Sequence, residues 1–199
     1  MASDTQFHIH HDAPEVQGRR ERLGVRLLIV ADGAFVFGMI FSYFYLRNLN
    51  ANNGWFPKGS HYFAASTGWI AAIPFVVAAF THRMGQRMRA SFGVLSIVTL
   101  LALLIGTYYQ WHQISHMPFI VTDDKVFEGS YASMWLLIAA ANLFHYLLGS
   151  FIALGLVLRA RRTQVNEVLE TWRLRTASSW FTWIAISAIA CAVTTTFIK

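Results

Sequence analysis

An all-α integral membrane bundle of five transmembrane helices, with its N-terminus cytoplasmic and its C-terminus outside, is what this sequence predicts, and three observations predict it. The 199 residues are 55% hydrophobic and only 13% charged, against about a quarter charged in soluble domains. The apolar residues gather into five runs, at about 23–46, 62–80, 92–110, 131–158 and 177–198. Each is long enough to cross a hydrocarbon core of about 30 Å, where only a helix satisfies its own backbone groups. The third observation is the alternation of basic flanks. Twelve arginines precede the first run, stand at its start (Arg26), or lie between the second and third and the fourth and fifth, while only Arg47, Lys58, Lys125 and Lys199 fall on the other side. The positive-inside rule then sets the topology. The formal charge of +6 belongs to this flanking pattern and not to nucleic acid, since no basic stripe with interleaved aromatics occurs.

Residues 1–22 read as a flexible polar tail. His8, His10 and His11 stand there among Asp4, Asp12, Glu15 and several arginines without a helical apolar stripe. Three histidines on a mobile tail lack the fixed geometry and supporting shell of a metal site. No short apolar core precedes a small-residue cleavage site, so the first run is expected to act as its own insertion signal. Residues 23–199 form a single five-helix transmembrane domain with no internal repeat.

The first run contains the stretch Ile29 to Arg47, IVADGAFVFGMIFSYFYLR, with Asp32 inside it. A charged side chain near a helix centre costs about 2.5–3.5 kcal/mol on insertion scales, so Asp32 is expected to avoid bare lipid. In the second run Pro74 removes a backbone donor and Gly68 permits close approach of a neighbour. The third ends in Tyr108, Tyr109 and Trp111, an interfacial aromatic belt. His112 and His116 follow at a spacing of four, but Pro118 comes next and the segment is leaving the membrane, so they read as interfacial. The segment 112–130 carries Asp123, Asp124 and Glu128, a solvated loop or a surface facing a basic partner.

The fourth run places Asn142, His145 and Gly149 on one helical face. Asn142 and His145 are the candidate polar partners of Asp32. In the fifth, Trp180, Trp183, Ser187 and Thr194 form a stripe suited to packing against a helix or lipid headgroups. Cys191 is the sole cysteine, which excludes an intrachain disulfide and a cysteine-based zinc site.

Two roles stand open for Asp32: a carboxylate in a proton or ion pathway, or a satisfied anchor between helices. There is no second acid in any of the five runs, and no phosphate loop, dinucleotide fingerprint or serine-nucleophile motif. No catalytic residue, metal site or cofactor site is therefore expected on this chain. A stand-alone transporter using Asp32 is one rival reading. A haem-b protein using His145 with His112 or His116 is another.

The run Ala31-Asp32-Gly33-Ala34-Phe35-Val36-Phe37-Gly38, followed by Phe41, Tyr43, Phe44 and Arg47, resembles the first helix of the five-helix form of haem-copper oxidase subunit III. That helix carries a Ser-Glu pair, an aromatic-rich stretch and an outer Arg. Trp55-Phe56-Pro57 looks like the family's Trp-Pro segment, and Gly106 with Gln110-Trp111 resembles the end of its third helix. Tyr131 to Arg159, with His145 and Gly149 four apart, is similar to its His-Val-x-x-Gly helix. The likeness covers about residues 20–160. Asp32 stands where Glu is usual, Asn142 where a His would be and Ala139 where a Thr would be, and the fifth run lacks the family's Trp-His-Phe pattern.

The resemblance implies a non-catalytic subunit that packs on subunit I, with subunit II in the same complex and membrane lipids between its helices. Haem and copper would reside on subunit I and none on this chain. The complex would reduce oxygen to water and conserve the energy as a proton gradient in a prokaryotic plasma membrane. Asp32, near the cytoplasmic end of its span with His145 beside it, would support proton uptake or anchor the helix. The accessory subunit of a nitric oxide reductase shares the expected fold.

Overall fold

The structure, a computed structural model, describes residues 12–56, 62–117, 129–161 and 166–197. Among these the chain is all helical. Five long helices, α1 (Pro14–Leu49), α2 (Ala65–Arg87), α3 (Phe92–Ser115), α4 (Ser130–Ala160) and α5 (Glu167–Phe197), are accompanied by 3-10 turns at Ala51–Asn53 and Arg89–Ser91. Four of the five are long and apolar enough to cross a membrane; α2 is not among them. Thr67, Gly68, Pro74, Thr81 and His82 interrupt its apolar run, and the helix continues on both sides of Pro74.

The helices outrun the apolar segments that announce them. Pro14, which needs no N–H partner in a first turn, opens α1, with Glu15 favourably placed on its positive end. Residues 14–22, expected as flexible tail, are therefore helical, while His8, His10 and His11 lie outside the described residues. What holds this polar turn is α5. Gly18 is buried beneath Trp172, whose ring occupies the place of a Cβ; Arg22 lies 5.7 Å over the same ring, and Arg173 reaches Glu21 at 3.3 Å. For its part α5 starts ten residues before the expected 177, with Glu167 and Glu170 in its first turn and Arg159 of α4 on Glu170 at 2.9 Å. Charged residues of this kind sustain helix in water and pair across helices, so hydropathy locates the membrane and not the helix ends.

Around the bundle the helices follow the order α1, α5, α2, α3, α4 and back to α1. Consequently, among the described residues, α1 packs chiefly on α5 and α4, and it exposes Phe37, Phe41 and Tyr45 on its other side. The helix ends form an arginine-rich end, with Arg83, Arg87, Arg159, Arg173 and Arg175, and an arginine-poor end opposite.

At the arginine-poor end an aromatic cluster closes the bundle. Asn50 takes a left-handed conformation (φ 34°) to stop α1, and Asn52 and Asn53 also have positive φ, a geometry that asparagine tolerates better than most residues. This corner ties to the start of α4: Ser130 N donates to the Gly54 carbonyl at 3.0 Å and Tyr131 N to that of Trp55 at 2.8 Å. Trp55 then packs edge-on against Tyr43, ring centres 5.1 Å apart, and Phe63 stacks on Trp135 at 4.1 Å.

Small residues set the closest helix approaches. A Cβ on Gly68 would come within 3.1 Å of Thr195 Oγ1, so the close approach expected at Gly68 is made, and the neighbour is α5. Gly106 of α3 leaves the space that the Tyr146 ring of α4 fills. That ring stacks on Phe75 at 3.7 Å and 8°, and its hydroxyl donates to the Ala71 carbonyl.

Candidate functional site

Asp32, His145 and Trp183 come from three helices and meet in one hydrogen-bonded unit. His145 Nε2 is 3.0 Å from Asp32 Oδ1, and the Trp183 indole N–H donates to Oδ2 at 2.6 Å. Because a carboxylate only accepts, Nε2 carries the proton of the first bond. Both oxygens are thus engaged, which offsets part of the cost of holding an acid in an apolar span. The His145 side chain is 3% exposed and that of Asp32 12%.

Local sequence explains the fit. Gly33, next to Asp32, lets the Trp183 ring lie in contact with α1; a Cβ there would touch it at 3.4 Å. The imidazole is boxed by Phe75 and by the edge of Trp180, ring centres at 6.5 and 6.0 Å, so it cannot swing from the acid. Its other nitrogen, Nδ1, is buried without a partner.

The depth of the unit departs from expectation. Glu21, Arg159 and Arg173 mark an ionic layer at the arginine-rich end, and Asp32, His145 and Trp183 stand ten to fourteen residues along their helices from it. At 1.5 Å per residue that is about 15–20 Å, well into the length of the bundle. Asp32 is therefore mid-bundle and not close to the end bearing the Arg cluster. The reason is that α1 carries its docked charges, Glu21 and Arg22, a little over one turn further out than Arg26, whose long side chain can reach towards water.

Of the two polar partners read from the sequence, His145 meets Asp32 and Asn142 does not. Three residues on a helix turn through 300°, leaving Asn142 about 60° round α4 from His145. There it lines a separate small cavity with Gln110, Gln113, Thr67 and Thr195. Gly149 packs on Leu103 and Ile184.

Trp183 is the partner that sequence reasoning assigned to a packing stripe. Its neighbour Trp180 shares the stripe yet has its Nε1 buried without a partner, so the stripe is divided in function. The usable signal was stoichiometric: a buried carboxylate has two oxygens, and one histidine serves one. Trp183→Phe keeps the ring and deletes the donor. A loss of about 0.6–1.7 kcal/mol is expected, read as a lower midpoint of heat denaturation in detergent; an unchanged midpoint would mean that the bond contributes nothing.

The remaining histidines stand elsewhere. His112 lies in the last turn of α3 and His116 just beyond, exposed and stacked with ring centres 4.1 Å apart. Neither belongs to the buried unit at His145. His82, which the sequence reading did not single out, is buried and ties α2 to α5 through Nε2 and the Leu174 carbonyl at 3.1 Å. Among the described residues no group of three or more His, Cys, Asp or Glu could hold a metal ion. The acidic loop residues Asp123, Asp124 and Glu128 lie outside the described residues.

Beside Asp32, between α1 and α4, opens a recess of about 300 Å³ whose wall includes Phe35, Leu137, Ala141, Phe144 and His145. The acid thus sits at the floor of a lateral opening while its oxygens stay engaged. No protein-family model matches the chain and no curated protein is significantly similar to it in sequence.

Proposed function

We propose that this chain is a non-catalytic subunit of a haem-copper terminal oxidase, equivalent to subunit III, in a prokaryotic plasma membrane. It packs beside subunits I and II with membrane lipids around it, binds neither haem nor copper itself, and stabilises subunit I while supporting proton uptake. Its N-terminus is cytoplasmic and its C-terminus outside. The observation that carries this reading is the Asp32–His145–Trp183 unit. The first-helix acid and fourth-helix histidine that bear the family likeness are hydrogen-bonded to one another, with the fifth helix supplying the second donor. A stand-alone transporter using Asp32 is disfavoured because no second acid accompanies it in the apolar runs.

Purification of the tagged chain from its native membrane tests the assignment. A haem-containing partner that consumes oxygen is expected to elute with it, whereas elution with no haem-bearing subunit would overturn the reading. A partner that instead consumes nitric oxide would move the chain to that reductase.

Asp32→Asn separates the two roles of the acid. An amide keeps both hydrogen bonds, giving its carbonyl to Trp183 and an N–H to a His145 ring nitrogen that accepts in the other tautomer. Recovery of the complex should therefore stay at the wild-type level, with oxygen consumption slower or shorter-lived. Wild-type kinetics in this variant would make Asp32 an anchor alone.

A further inference from the structure

Where α2 begins and α3 and α5 finish, at the arginine-poor end, lies a half-open cavity of about 20 Å³. Space of that size suits one water molecule. Its lining is unusually polar for a core: Gln110 is 1% exposed and Asn142 8%. The amide of Gln110 donates to Gln113 Oε1 at 2.9 Å, and that of Gln113 donates to the Thr67 carbonyl at 3.3 Å. These bonds run in one direction, from donor to acceptor towards the end of the bundle. They leave Gln110 Oε1 buried without a partner, and the Asn142 side chain has none among the described residues. Buried polar atoms are almost always satisfied, by protein or by ordered water.

We propose that this cavity is an internal water site, in which one water donates to Gln110 Oε1 and receives a hydrogen bond from the Asn142 amide. The polar chain then reads Thr67, Gln113, Gln110, water, Asn142. Asn142 is one turn along α4 from His145, on the side of the arginine-poor end. The proposed water therefore sits one helical turn from the Asp32–His145 pair without touching it. This goes beyond the subunit assignment and holds whichever complex the chain joins.

Cys191, the sole cysteine, lines the cavity and is 3% exposed. Met39 is equally buried in the same cluster with Tyr43 and Trp55 but does not line the cavity. X-ray hydroxyl-radical footprinting of the full chain in lipid nanodiscs oxidises reactive side chains beside bound water, and both sulfurs report. Met39 serves as the internal reference, since a thiol is intrinsically more reactive than a thioether. In Asn142→Leu, whose side chain removes the donor and fills the space, the Cys191 rate relative to Met39 is expected to fall severalfold. Should that variant fail to fold, Asn142→Val serves the same comparison. A ratio unchanged from the wild type in the variant that folds overturns the proposal.

Discussion

Gly106→Val is expected to leave no monodisperse bundle after extraction in mild detergent. A Cβ at this position falls within the Tyr146 ring. The ring cannot retreat, because it is fully buried, stacked on Phe75 and bound through its hydroxyl to the Ala71 carbonyl. Relief must come from separating α3 and α4, one of the most extensive helix contacts in the molecule. Overpacking costs about 1–3 kcal/mol even where side chains adjust. Gly106→Ala should sit in that range and Gly106→Val beyond it. Size-exclusion profiles over a temperature series give the order, and Gly106→Val/Tyr146→Ala should recover part of the loss. A wild-type profile for Gly106→Val would show that α3 and α4 are not packed as described.

Asp32→Ala should be the most damaging polar substitution. It removes the acceptor of two donors at once, leaving His145 Nε2 and the Trp183 indole N–H facing a void. A donor orphaned in a core costs about 1–3 kcal/mol, and the methyl group cannot fill the space of the carboxylate. Asp32→Asn should stay near the wild type for the reason given above, so the expected stability order is wild type, then Asn, then Ala. A cycle of Asp32→Ala, His145→Ala and the double variant isolates the pair. Additive losses would mean that the contact at 3.0 Å contributes little to holding α1.

The helices and half of the polar unit were legible because apolar runs and membrane cost are local properties of sequence. An isolated acid in such a run demands a partner, and His145 was the natural supplier on a helix face with Gly149. What was not legible depends on rotation and on water. Asn142 shares a face with His145 by spacing, yet about 60° of helix is enough to deliver it to another neighbour. Trp183 looked like any interfacial aromatic, since nothing in its own vicinity reveals that an acid from another helix points at its ring nitrogen. The starts of α1 and α5 escaped hydropathy because their charges pair with each other; Pro14 followed by Glu15 was the overlooked helix-start signal.

The unit at Asp32 also imposes a timetable on biosynthesis. His145 is made 113 residues after Asp32, and Trp183 after 151. At roughly 5–20 residues per second, the nascent α1 waits about 8–30 s for its second hydrogen-bond donor. For the first 113 residues of that interval its acid has neither partner, and in the finished bundle the main helix contacts of α1 are with α4 and α5. The earliest helix of the bundle is thereby the last to be locked, and its docking reports that the final helix has arrived.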